Sequence, residues 1–204
     1  MKIICIGRNY AEHAKELENQ VPESPVFFMK PDTALLRNNQ PFYIPDFSKE
    51  IHFEVELVYK INQLGKHIDE RFASRYTSEV GIGIDFTARD LQKECKAKGL
   101  PWECAKSFDN SAPISMEFIP LAELPNPHAI HFRLEKNGIV VQNCCSSDMI
   151  FNVDKLIAHV SKFLLLKIGD LLFTGTPAGV GPVQPGDHLQ AYIEDRLMLD
   201  FFIK

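Results

Sequence analysis

The chain of 204 residues is short of several things, and each shortage closes a route. It has five cysteines, an odd number, and none sits at metal-ligand spacing. Cys144 and Cys145 are adjacent, while Cys95 and Cys104 are nine apart. That pattern speaks against a structural zinc site and for reduced thiols in a cytoplasmic protein. Basic residues form no block or stripe. With 22 Lys and Arg against 27 Asp and Glu, net charge −5, the electrostatic footprint of a nucleic-acid binder is missing. No apolar run approaches the length of a membrane span, and Ile3-Ile4-Cys5-Ile6 is too short for a signal peptide. There is no internal repeat and no low-complexity segment. The Gly-rich stretch at 175–182 lacks the Gly-Lys-Ser/Thr ending of a nucleotide-binding loop and reads as a tight hairpin connection.

What is present is an ordinary globular composition, 45% hydrophobic and 24% charged, in a length that suits one domain over 1–204. Its centre is the stretch Ile51-His52-Phe53-Glu54-Val55-Glu56-Leu57. Apolar residues fall on odd numbers and polar ones on even numbers, the alternation of a half-buried strand. Glu54 and Glu56 then share a face, roughly 6.5 Å apart. Two carboxylates that close need either bulk water or a cation. An antiparallel sheet with one solvated face would supply the water.

The chain around this strand reads as more strands than helices. A first strand, Lys2 to Ile6, leads to a helix over about Ala11 to Leu17, on which His13 and Glu16 share a face. A strand near Phe27 stops at Pro31, with Lys30 at its end. A helix is expected over Asp69 to Tyr76. The strand Val80 to Phe86 is interrupted by glycines, which mark a close approach to the backbone, and carries Asp85 at its end. Thr87 and Asp90 have the spacing of a capping box for a helix running to Lys98, stopped by Gly99. Arg89 and Gln92 lie on one face of it. Lys106 sits in an irregular stretch. Asn137-Gly138 predicts a tight hairpin turn. Asn152 caps a helix whose buried stripe runs through Val153, Leu156, Ile157, Val160, Phe163 and Leu164. Strands follow over Leu171 to Thr174, His188 to Ile193 and Leu197 to Ile203. With no repeated βαβ unit, the class is α+β, a mixed and mostly antiparallel β core with a few covering helices.

Six motifs then stand in one order: Gly7-Arg8-Asn9-Tyr10-Ala11-Glu12-His13, Phe28-Met29-Lys30-Pro31, His52 to Leu57, Gly83 to Asp90, Ala105-Lys106-Ser107-Phe108-Asp109, and Thr174 to Gly181. In this the chain resembles the fumarylacetoacetate hydrolase family over nearly its whole length. It is most similar to the short single-domain members that act on acylpyruvates and oxaloacetate. The resemblance implies a β-roll or β-sandwich core in a homodimer, with a lid helix within residues 1–20. It implies metal ligands at Glu54, Glu56 and Asp85, and catalytic roles for His13, Glu16 and Lys106. Substrate contacts fall on Lys30, Arg89, Gln92 and Thr176, with Thr174 two residues from the last.

Three carboxylates without sulfur or imidazole suit a hard cation, Mg²⁺, with Mn²⁺ or Ca²⁺ as substitutes. A 2-oxo acid chelating it through carboxylate and keto oxygen would form an enolate stabilised by the metal as Lewis acid. The leading expectation is a metal-dependent enzyme that hydrolyses a C–C bond of an acylpyruvate, with Glu16 and His13 activating water and Lys106 stabilising the oxyanion. Decarboxylation of oxaloacetate and isomerisation of 2-hydroxyhepta-2,4-diene-1,7-dioate use the same enolate. A non-catalytic 2-oxo acid binding protein and a β-rich domain with a wet Glu54/Glu56 face are the alternatives of other classes. No nucleic-acid or membrane partner is expected.

Overall fold

The strand Val55–Ile61 lies inside a six-stranded sheet of the computed structural model, which describes residues 1–16 and 21–204. The order across this sheet is Val26–Lys30, Ile3–Gly7, Leu171–Phe173, Val55–Ile61, Thr77–Ile84 and Ile119–Pro120. Only Ile3–Gly7 against Leu171–Phe173 runs parallel; every other neighbouring pair is antiparallel. A second sheet of four antiparallel strands is ordered Ile139–Cys145, His131–Lys136, His188–Ile193, Arg196–Phe202. Asn137 and Gly138 both have positive φ, 55° and 77°, as a type I′ hairpin turn requires. The mixed, mostly antiparallel α+β class expected from the sequence is what the chain adopts.

The six-stranded sheet is covered on both faces. Ile4, Ile6, Leu57, Ile82 and Ile84 enter one large core with Phe132, Leu189, Leu199 and Phe201 of the second sheet and with Leu156, Ile157 and Val160 of the helix Val153–Phe163. Ile3, Cys5, Val58 and Phe173 point the other way, into a smaller core with Ala34, Ala112 and Ile114. A buried aliphatic side chain contributes roughly 1.5–3 kcal/mol, so the two cores hold the sheet rigidly between them. The glycines of Thr77–Ile84 have their explanation here. A Cβ on Gly83 would lie 2.6 Å from the Phe173 ring and 3.0 Å from Pro113 O, so what approaches the backbone is the chain's own packing.

Several local expectations change. The central strand is two strands: Ile51–Phe53 belongs to a small sheet with Gly181–Pro182 and Thr87–Ala88, and the chain changes sheets at Glu54. Residues Glu70–Tyr76 form a 3₁₀ helix capped by Asp69. Thr87 caps nothing; its hydroxyl donates to Asp85 O, while Asp90 accepts from Ser48 Oγ and Lys49 N. The Gly-rich stretch is no hairpin connection, because Gly181–Pro182 pairs with His52 and Phe53. Phe163 is 59% exposed and so leaves the buried stripe. The first helix is Ala11–Glu16, and the continuation expected through Leu17, with the end of the lid at 20, lies outside the described residues.

Candidate active site

The antiparallel register assembles three carboxylates. Val55 pairs with Ile84 and Glu56 with Gly83, so the next residues outward, Glu54 and Asp85, face each other, and Asp85 N donates to Glu54 O at 2.8 Å. Side chains alternate along a strand, so Glu54, Glu56 and Asp85 emerge on one face. One oxygen of each lies within 4.8 Å of the others. The face is not wet: the three residues are 5%, 1% and 1% exposed. A buried carboxylate survives only with hydrogen bonds and opposite charge.

Three buried cations supply that charge. Lys106, at the end of the short helix Glu103–Lys106, places Nζ 2.8 Å from Glu54 Oε2 and 2.7 Å from Asp85 Oδ2. Arg89, opening the helix Arg89–Lys98, donates Nη2 to Glu54 Oε1 at 2.5 Å and Nη1 to Gln92 Oε1 at 2.6 Å. Lys30 Nζ is 2.9 Å from Asp85 Oδ1. Lys30 is also bound to Ser111 Oγ, to Phe86 O and to Lys106 O, and its side chain is fully enclosed. It braces Asp85, and it is not among the side chains that line the cavity above the carboxylates.

These pairings split the triad. Burial works to raise Glu54, but Lys106 and Arg89 outweigh it and hold its carboxyl well below the usual range. Glu56 has no such partner. Burial and then the Asp85 charge push it well above the ordinary carboxylate value, against one hydrogen bond from Gly175 N at 2.7 Å. Burial works to lower Lys106, but Asp85 and Glu54 outweigh it and raise its ammonium.

The residues fit a hard divalent cation. The donors are all oxygen, and Asp85 Oδ1 is buried without a hydrogen-bond donor, because the Lys30 ammonium near it is not aligned to make one. Among the described residues this triad is the one group of acidic, His or Cys side chains with such convergence. With all three carboxyls ionised, Lys106, Arg89 and Lys30 balance the triad, and a divalent cation would leave the site at plus two.

The loop after Leu171–Phe173 closes the floor. Thr174 and Thr176 divide their work: Thr174 Oγ1 donates to Leu57 O inside the sheet, whereas Thr176 lines the cavity and accepts from Gln142 Nε2 at 2.9 Å. Gly175 has φ of 96°, and a Cβ there would meet Asn9 Cβ at 2.8 Å. Only glycine can turn here and still point its N–H at Glu56. Gln142 was not legible as functional. It is 1% exposed, and its amide also accepts from Val55 N and donates to Pro177 O. The available signal was a single polar residue closing the apolar run Ile139-Val140-Val141.

At the cavity mouth, the short helix brings His13 Nδ1 within 3.0 Å of Glu16 Oε2, and Gly179 N donates to Glu16. His13 is 6% exposed and lines the cavity, with Nε2 left free of Glu16. Just before it, Arg8 has φ of 60°, a left-handed conformation that costs a non-glycine residue about 1–3 kcal/mol. Asn9, fully buried, locks that turn: Nδ2 donates to Phe151 O and Thr174 O, and Oδ1 accepts from Phe151 N. The space enclosed between these groups is about 40 Å³. Glu54, Glu56, Asp85, Arg89, Gln92, Lys106, His13 and Thr176 are therefore brought together, with Glu16 bound to His13 at the rim and Lys30 beneath.

A mixed β fold with a buried oxygen-only triad and a His–Glu pair at its mouth defines a candidate cation-assisted enzyme. Residues 2–199 match the sequence model described as fumarylacetoacetate (FAA) hydrolase C-terminal, and the chain belongs to that family. It is 45% identical over 189 residues to oxaloacetate tautomerase YcgM of Escherichia coli (strain K12), covering 92% of this chain and 86% of the relative. It is 43% identical over 202 residues to mitochondrial oxaloacetate tautomerase FAHD1 of Mus musculus, covering 99% of this chain and 91% of that protein. Fumarylpyruvate hydrolase from Pseudomonas aeruginosa, solved in complex with Mn²⁺ and pyruvate, superposes with a TM-score of 0.94 at 33% identity, covering 100% of this chain and 89% of that one. The protein is an enzyme of this family.

Proposed function

We propose that the enzyme interconverts the enol and keto forms of a dicarboxylic 2-oxo acid of the oxaloacetate kind, with Mg²⁺ or Mn²⁺ held by Glu54, Glu56 and Asp85. One observation carries this reading: three buried carboxylates are matched by three buried cations, so a divalent cation leaves two positive charges that a dianionic substrate neutralises. The relatives named oxaloacetate tautomerases support the same choice.

When bound, the cation supplies Lewis acidity toward the carboxylate and keto oxygens of a 2-oxo acid and so favours the enol form. The protein's own groups move the proton. His13, with Nδ1 on Glu16, has Nε2 to take the C3 proton of the keto form. The C3–H electron pair becomes the C2–C3 double bond, and the oxygen takes a proton from water to complete the enol. In the reverse direction the oxygen gives that proton up as His13 returns one to C3. The buried ammonium of Lys106 stabilises negative charge developing on the keto oxygen. Arg89, held by Gln92, and Thr176, held by Gln142, orient the 1-carboxylate.

The second reading is C–C bond hydrolysis of an acylpyruvate. It is favoured by Glu16, which is exposed at the rim where water is plentiful, and by the fumarylpyruvate hydrolase likeness. The deciding experiment follows enol absorbance of oxaloacetate and of acetylpyruvate with Mg²⁺ and with EDTA. Acceleration of the oxaloacetate enol–keto exchange, without formation of carbon dioxide, supports the proposal. Cleavage of acetylpyruvate with no effect on oxaloacetate exchange overturns it in favour of hydrolysis.

A further inference from the structure

Two cations at the cavity mouth take no part in the chemistry above. The other basic side chains lining the cavity each have a carboxylate partner: Arg89 and Lys106 on Glu54, and the His13 imidazole on Glu16. Arg8 and Lys96 line the same cavity, and among the described residues neither has a carboxylate within ion-pair distance.

They reach the mouth from different elements. Lys96 stands seven residues after Arg89 and four after Gln92 in Arg89–Lys98, so all three share one face of that helix. Its ammonium lies 5.7 Å from the centre of the Trp102 ring, which also lines the cavity. Arg8 comes from the left-handed turn that Asn9 locks. Arg8 is half-buried in that turn, and Lys96 is exposed at the rim of the cavity. Burial lowers the Lys96 ammonium, and the nearby Arg8 and Arg89 charges lower it further against an opposing pull from Glu54.

We propose that Arg8 and Lys96 form an anion subsite for the distal carboxylate of the substrate, and that this pair selects dicarboxylic over monocarboxylic 2-oxo acids. The inference rests on the reading that a 2-oxo acid binds at the inner carboxylate site. Trp102, whose ring lies beside the Lys96 ammonium, adds a flat apolar wall beside the substrate chain.

The test is calorimetric and needs no turnover. The full chain loaded with Mn²⁺ is titrated with 2-oxoglutarate and with 2-oxopentanoate, which share a chain length and differ in the distal carboxylate. The wild type should prefer the dianion by at least about tenfold. In Arg8→Gln and in Lys96→Met the preference should fall below about threefold, and Arg8→Lys should recover part of it. A preference left intact in both variants overturns the subsite, and so does a wild type that binds the two acids equally. Binding of Mn²⁺ with no binding of either acid overturns the 2-oxo acid reading and this inference with it. Thermal melting of each variant separates a lost subsite from a lost fold.

Discussion

The Lys106 ammonium lies 2.7 Å from Asp85 Oδ2, while the other oxygen of the same carboxylate faces Lys30 at 2.9 Å. Asp85 thus lies between two buried cations, as Glu54 lies between Lys106 and Arg89. Asp85→Asn keeps the shape and removes the charge, leaving the Lys30 ammonium without a carboxylate and Lys106 with Glu54 alone. It should cost about 3–5 kcal/mol of stability, the range for breaking a buried ion pair from one side. Thermal melting in EDTA checks this. The same variant should lose the melting shift that Mg²⁺ or Mn²⁺ gives the wild type. That shift corresponds to about 2.7 kcal/mol at a hundredfold excess over Kd, or roughly 5–10 °C for a domain of this size.

Glu56 should behave in the opposite way. Its folded pKa is raised, so its contribution is fully present below the unfolded carboxylate value and is lost as pH rises through the folded one. Without metal, Glu56→Gln removes a like charge from beside Asp85 and keeps an amide oxygen to accept from Gly175 N. The variant should therefore melt above the wild type in EDTA. The gap should widen as pH climbs from about 4.5 to about 8. With saturating Mn²⁺ the order should reverse. A gap in EDTA that stays constant with pH would show that Glu56 does not titrate in the fold.

His13→Ala and Glu16→Gln sit outside the triad. They should lower kcat by roughly 10²–10⁴, the range for general acid–base groups. The Mn²⁺-dependent melting shift should survive in both. Loss of that shift together with turnover would make the pair a support of the inner carboxylates and not a proton carrier.

Much of this was legible in the sequence because it depends on short-range order. Alternation over 51–59 placed Glu54 and Glu56 on one face, and Asn137-Gly138 fixed a hairpin whatever the rest of the chain did. The ordered motifs added Asp85, Lys106 and the His13–Glu16 pair. What was not legible depends on which strands become neighbours. The wet face became a buried one because the chain changes sheets at Glu54 and the helix Arg89–Lys98 closes over the gap. Lys30 looked like a surface cation at a strand end, and only the packing of Phe86, Lys106 and Ser111 around it shows that it is enclosed against Asp85. Thr87 and Asp90 had the spacing of a cap, but the sheet change drew Thr87 to Asp85 O and Asp90 to Ser48 and Lys49.

Gln142 gives the sharpest test of that sheet change. Its amide replaces a strand neighbour for Val55 N at the break and holds Thr176 and Pro177 from its other end. Gln142→Leu fills the same volume but leaves Val55 N and Pro177 O buried without partners. A buried unsatisfied group costs about 1–3 kcal/mol, so the loss should be roughly 2–4 kcal/mol after partial relaxation. Gln142→Glu keeps an acceptor for Val55 N but loses the amide donor to Thr176 and adds a fourth acid near the triad. It should retain more of the fold in EDTA at low pH than Gln142→Leu. Under substrate saturation it should still turn over more slowly than wild type, because Thr176 is no longer oriented. Melting curves for the pair, set against KM and kcat measured separately, distinguish the two jobs. If Gln142→Leu melts with the wild type, the Val55 N–H has another partner and the break at Glu54 does not depend on this side chain.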